Sequence, residues 1–206
     1  VALISIGASA QIAQDAYKQW HQNKFSMFIH FGLYSVYGGV YNDKPVTFGY
    51  SEQIQSFAGI FSDWYGDTAL EFDPVKFNAD EIVALAKEAG MRSIVITTKD
   101  HDGVCTFNTA TTDYNSVDAT PSKRDHLTEL SDACRRGGIN FAIYFSLIDW
   151  HFPHAYPISS HNCDFITPQH HEFTKAQVTE LLTNYGPVSE LWFDMGSHRP
   201  EQSKEL

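Results

Sequence analysis

Asp194 closes the run Glu190-Leu191-Trp192-Phe193-Asp194-Met195-Gly196, in which three large apolar residues lead to an acid and then to a loop-forming glycine. A carboxylate at the end of a buried strand is placed to do chemistry, because the strand fixes it while the loop leaves it reachable. Upstream, three further strand-like runs end on acidic or hydrogen-bonding residues. Phe25 to Phe31 reaches His30, Ser93 to Thr98 runs into Lys99-Asp100-His101-Asp102-Gly103, and Phe141 to Phe145 carries Tyr144. Taken alone, an Asp-x-Gly is most often a helix-capping turn and a lone histidine a satisfied core residue. Their joint placement at strand ends points instead to one shared site.

The elements that must position these groups alternate. Asp15 to Gln22 reads as a short helix before the first strand, and Leu33 to Tyr50 as a long loop with Gly38-Gly39 and Asn42-Asp43 as turn signals. Short helical segments are expected around Glu52 to Phe57 and Ser62 to Leu70. Asn78 and Glu81 open a helix over Ala79 to Ala89, with Ile82, Leu85, Ala86 and Ala89 at helical spacing and Gly90 as its stop. A second helix spans Asp125 to Arg136 with Leu127, Leu130 and Cys134 on one side. His151 to Ile166 is His-rich and Pro-punctuated, hence a loop. Thr167 and Pro168 then start a helix whose Val178, Leu181, Leu182 and Tyr185 share a face. Strand, helix, strand in this order makes a parallel sheet with right-handed crossovers. No Gly-x-Gly-x-x-Gly or phosphate loop follows the first strand, and long loops after every strand favour a barrel over an open doubly wound sheet.

Composition narrows the function classes. With 206 residues, 43% of them hydrophobic and 14% aromatic, the chain holds one domain with a sizeable core. A formal net charge of -11 argues against nucleic acid or an anionic membrane surface as partner, since both demand clustered Lys and Arg. No run is long enough to span a membrane. Cys105, Cys134 and Cys163 are an odd number at no metal-like spacing, so neither a disulfide framework nor a zinc site is expected. Ten histidines raise the possibility of a metal-dependent hydrolase, but no His-x-His or His-Glu-x-x-His pair is present, and no metal or cofactor is expected. Residues 1–10 resemble the tail of a secretory signal, with Ala8-Ser9-Ala10 as the small-x-small site, which implies export and leaves 11–206 as the folded unit.

Read together, Met27-Phe28-Ile29-His30-Phe31-Gly32-Leu33-Tyr34-Ser35, Thr97 to Gly103, Lys123-Arg124-Asp125, Tyr144-Phe145-Ser146 and Trp192-Phe193-Asp194 resemble the catalytic domain of the α-L-fucosidases of glycoside hydrolase family 29. The resemblance covers about Tyr17 to Ser197 and implies an α/β fold, a (β/α)8-like TIM barrel of which this chain holds the first half. It implies retaining hydrolysis of terminal α-L-fucose, with a fucosylated glycan as the partner. Asp194 matches the family's nucleophile, His30 and His101 match histidines that contact the sugar, and Tyr144 lies on the strand of a pocket tyrosine. Glu52 best matches the acid of the family's Glu-Trp motif, with Asp63-Trp64 as the other placement. These types suit the task, since neutral histidine and tyrosine both give and take hydrogen bonds, as a ring of hydroxyls requires.

Two departures stand out. Asp100 occupies the place of a family histidine, so an acid replaces a donor in the sugar site. On that reading Asp100 weakens the pocket, and Asp100→His should raise kcat/KM by roughly 10-fold or more. On this resemblance the family's general acid is expected beyond Leu206, which leaves a catalytically impaired fucose-binding paralogue or an inactive fragment as the rival to an enzyme. A half-barrel would also expose a sheet edge through which copies could associate.

Overall fold

A computed structural model describes residues 14–153, 166–196 and 198–206. The apolar run at residues 1–10, most of the His-rich loop and Cys163 lie outside the described residues. A helix over 14–23 (α1) leads into strand β1, Ser26–Ile29. The stretch read as a plain loop instead holds a short helix, Tyr34–Tyr37 (α2), and a small hairpin of Val40–Tyr41 (β2) and Lys44–Pro45 (β3). Asn42 and Asp43, both at positive φ, make its turn. Helical turns Ile54–Phe57 (α3) and Ser62–Gly66 (α4) follow, each joined to a 3₁₀ turn, Ser51–Gln53 and Asp67–Glu71. Helix Ala79–Glu88 (α5), strand Ser93–Lys99 (β4), helix His126–Gly137 (α6) and strand Asn140–Ser146 (β5) come next. Helix Pro168–Asn184 (α7), strand Leu191–Asp194 (β6) and the turn Pro200–Ser203 (α8) complete the chain.

The helices begin where side chains satisfy free N–H groups. Asn78 Oδ1 accepts from Glu81 N–H at 3.2 Å, Asp125 Oδ1 from Thr128 N–H at 2.8 Å, and Thr167 Oγ1 from His170 N–H at 3.1 Å. The buried face of α5 differs in part from the expected one. Ile82 and Ala86 pack inward as expected, joined by Ala79 and Val83, while Leu85 and Ala89 are exposed. On α7, Val178, Leu181 and Tyr185 pack inward and Leu182 faces solvent.

The sheet order is β1-β4-β5-β6, all parallel, so strands joined in sequence by helices are also neighbours in space. Ile29, Ile96, Ile143 and Leu191 form one register row, and on this face Ile94, Ile96, Phe141, Ile143 and Phe145 pack against Val83, Leu127, Leu130, Val178 and Leu181. Helices α5, α6 and α7 thus all cover the same face. A doubly wound sheet would place helices on both, so the described elements form an arc of a barrel whose other face looks inward. That inner face carries Phe28, Val95, Ala142, Tyr144 and Trp192. In β6, Trp192 and Phe193 are 48% and 37% exposed, against the expectation of a strand covered on both faces, because β6 forms an edge of the sheet among the described residues.

Candidate active site

Three strand ends bring the predicted site residues together. β5 and β6 pair so that Tyr144 lies opposite Trp192 and Ser146 opposite Asp194. From that register the Tyr144 hydroxyl donates to Asp194 Oδ2 at 2.6 Å. Asp194 Oδ1 accepts from the Met195 N–H at 2.8 Å, where the chain turns through φ +58° at Met195. The carboxylate is therefore held at both oxygens while its residue stays partly exposed. Burial pushes the Tyr144 phenol well above its ordinary value, with the charge of Asp100 and the bond to Asp194 adding to it, so the hydroxyl stays a donor.

His30 follows β1 on the same inner face. Its ring stacks on Phe28 at 5.0 Å and lies 6.1 Å from the Tyr144 ring. Asp100 Oδ2 sits 3.9 Å from His30 Nδ1, and this carboxylate holds the imidazole above the ordinary histidine value against the opposing effect of partial burial. Glu52 and Asp194 add smaller effects of the same sign. Glu52 is half-buried on the 3₁₀ turn Ser51–Gln53, and its charge adds a small effect on His30, Tyr34 and Tyr144. Asp63 and Trp64, the other placement, are exposed on α4, with Trp64 against Phe61 at 5.3 Å.

His101 is buried, its Nδ1 2.9 Å from Ser146 Oγ and its ring edge-on to Trp150 at 5.4 Å. The Trp150 N–H donates to the His101 carbonyl at 2.8 Å, tying the loop after β5 to the loop after β4. Beneath them Lys99, fully buried, donates to the Ile148 carbonyl at 3.2 Å and pairs with Asp149 Oδ2 at 3.5 Å. Asp149 Oδ1 in turn accepts from the His151 and Phe152 N–H groups, each at 2.9 Å. Gly103, at φ +83°, is required here because a Cβ would stand 2.2 Å from Asp149 Oδ1. Asp102 accepts from the Tyr65 hydroxyl at 2.9 Å, and its burial pushes the carboxyl up to about 8.

Five of the six predicted residues, His30, Asp100, His101, Tyr144 and Asp194, thus meet at one end of the sheet, while Glu52 acts on His30 only through its charge. Sequence reasoning missed the supporting groups. Tyr34 is buried on α2, close enough to Gly32 that a Cβ there would fall 2.6 Å from its ring, and the charge of Asp100 acts on it. Ser146, Trp150 and the Lys99–Asp149 pair carried a faint signal, polar or charged residues inside runs that otherwise bury completely. Away from these strand ends, His171, Glu172 and Glu205 bring ligand atoms within 4.8 Å of one another. Lys175 Nζ already pairs there with Glu172 at 2.8 Å and Glu205 at 3.7 Å, which makes this cluster an ion-pair network.

Comparison with known proteins decides the family. The α-L-fucosidase sequence profile matches residues 7–206. The chain belongs to the α-L-fucosidase family. α-L-Fucosidase 1 of Arabidopsis thaliana is 31% identical over 192 residues, covering 91% of this chain and 31% of that relative. Plasma α-L-fucosidase of Homo sapiens is 29% identical over 88% of the chain and 40% of its own length. The chain therefore spans well under half the length of these relatives. Among solved structures, a variant of α-L-fucosidase AlfC from Lactobacillus casei in complex with Fuca(1,6)GlcNAc superposes with a TM-score of 0.82 at 33% identity, over 93% of this chain and 65% of that one. A trapped covalent intermediate of an α-L-fucosidase from Bacteroides thetaiotaomicron, formed with 2-fluoro-fucosyl fluoride, gives 0.79 at 34%, over 87% and 41%. The four-stranded arc is thus part of the (β/α)8-like catalytic barrel of this α-L-fucosidase family.

Proposed function

We propose that the whole protein is a retaining α-L-fucosidase that removes terminal fucose from glycoconjugates, with Asp194 of this chain as its nucleophile. The observation that carries the reading is the carriage of Asp194 at the end of β6, oriented by the Tyr144 hydroxyl and the Met195 N–H on the face that also bears His30. Retention requires an ionised carboxylate poised at the anomeric carbon. One Asp194 oxygen attacks that carbon as the bond to the leaving oxygen breaks and a second carboxyl group protonates that oxygen; the glycosyl ester is then cleaved by water, which gives its proton back to the same carboxylate. The Tyr144 and Met195 donors fix the carboxylate during attack and hold its oxygens during release. His30, His101 and Glu52 contact the sugar hydroxyls and so fix its pose. The covalent intermediate trapped in the Bacteroides relative and the fucoside bound by the Lactobacillus variant support both the retaining course and the substrate class.

The test is Asp194→Ala in the full-length protein, assayed on an aryl α-L-fucoside. Turnover should fall by at least about 10³-fold with the fold intact, and azide should restore it by giving a glycosyl azide of inverted configuration. Turnover close to that of the unchanged protein would sink the assignment. Binding of L-fucose without turnover in the unchanged protein would mean a sugar-binding paralogue.

A further inference from the structure

Asp100 is the one site residue that departs from the family resemblance, and the structure gives it partners of its own. Its side chain is 1% exposed. Oδ1 accepts from the His101 N–H at 2.9 Å and lies 3.4 Å from His101 Nδ1. Among the described residues Oδ2 has no hydrogen-bond partner, and it lies 3.9 Å from His30 Nδ1. A buried carboxylate with one oxygen unpaired is a costly arrangement, so a site that keeps one normally completes its hydrogen bonds when occupied. We propose, resting on the fucosidase reading above, that Asp100 is a positioning residue: its carboxylate turns His30 so that Nδ1–H faces Oδ2 and the opposite ring nitrogen presents an N–H to a sugar hydroxyl oxygen.

Several groups set the charge here. His30 faces Asp100 from the end of β4, Glu52 from the 3₁₀ turn, Tyr144 from β5 and Asp194 from β6. Asp100 faces His30, His101, Tyr34 and Asp102. The nearby charges on His30 are all acidic, so they favour the imidazolium with two N–H donors. An ionised donor makes a stronger and more directional hydrogen bond than a neutral one. On this proposal the acid supports the pocket, the opposite of the expectation from sequence.

Asp100→Asn in the full-length protein keeps an acceptor for the His101 N–H and removes the charge beside His30. Two readouts follow. The first is the titration of His30 by NMR of histidine-labelled protein, its signal assigned through His30→Gln. In Asp100→Asn the His30 midpoint should fall. The second is aryl fucoside kinetics, in which KM should rise about tenfold, the size of one charge-assisted hydrogen bond, with a much smaller fall in kcat. In the unchanged protein KM should rise with pH as His30 loses its proton, and in Asp100→Asn that rise should begin at lower pH. Asp100→His should lower kcat/KM. The double variant His30→Gln/Asp100→Asn should bind no worse than His30→Gln alone, because Asp100 acts through His30. An unchanged His30 midpoint, or full additivity of the two substitutions, would overturn the proposal. Should the unchanged protein cleave no fucoside, the fucosidase reading falls, and the His30 titration alone decides for or against the role of Asp100.

Discussion

The two faces of the sheet are built from the same strands and do opposite work. Toward the helices, Ile94, Ile96, Phe141, Ile143 and Phe145 pack into one cluster with Leu127, Leu130 and Val178. Toward the inside, the alternate positions carry Phe28, Tyr144 and Trp192, with His30 and Asp194 at the strand ends and large parts of Phe28 and Trp192 open to solvent. Period two in a strand makes this division possible, since each residue belongs wholly to one face. The lesson is that substitutions on the helix face should be read in stability and substitutions on the inner face in rate.

The comparison breaks if either kind of substitution crosses over. On the helix face, Leu130→Ala removes a fully buried side chain and should cost about 2 to 5 kcal/mol by chemical denaturation, with kcat per folded molecule unchanged. On the inner face, Tyr144→Phe removes the donor to Asp194 and should lower kcat/KM about 10- to 100-fold, while the unfolding midpoint moves little. A large stability loss in Tyr144→Phe would show that the inner face also holds the fold together.

A smaller effect concerns acid. His126 is fully buried among the rings of Phe31, Phe72 and Phe77, and among the described residues both its ring nitrogens lack hydrogen-bond partners. Burial pushes its folded value down to about 4 from 6.5. The folded state then binds fewer protons than the unfolded one between those values, so the stability is present above pH 6.5 and is lost as pH falls toward 4. Thermal unfolding across that window should show the loss, and His126→Phe should lessen it. Smallest is the cap of α5, where Asn78→Ala should cost about 1 kcal/mol without changing KM.

What could be read from the sequence follows the same division. The central strands β4 and β5 were legible because both faces bury and the residues run apolar or β-branched without a break. The caps at Asn78, Asp125 and Thr167 were legible because they act within one turn. The phase of α5 was not, since Leu85 and Val83 both satisfy helical spacing and only the sheet decides which one is covered. The exposure of Trp192 and Phe193 was missed for a related reason, because an apolar run carries no sign of whether its strand has neighbours on both sides. The hairpin around Asn42 and Asp43 was seen as a turn but not as paired strands, each being two residues long. In the site, the carboxylate, the imidazoles and the phenol were visible as chemical types at strand ends. The partners of Asp100 were not, because His30 and Asp100 are 70 residues apart in the chain (100 − 30) and meet only through the pairing of β1 with β4.

The central claim is that Asp194 becomes bonded to the sugar. Incubating the full-length protein with 2-deoxy-2-fluoro-fucosyl fluoride, digesting it and mapping the adduct by mass spectrometry tests this directly, because the 2-fluorine slows both oxocarbenium-like steps while the anomeric fluoride, a good leaving group, keeps formation of the intermediate faster than its release. The account predicts one fluorofucosyl group, carried on Asp194, with activity lost in step with labelling. Labelling at a different carboxylate, or loss of fluoride with no protein adduct at any time, would contradict it.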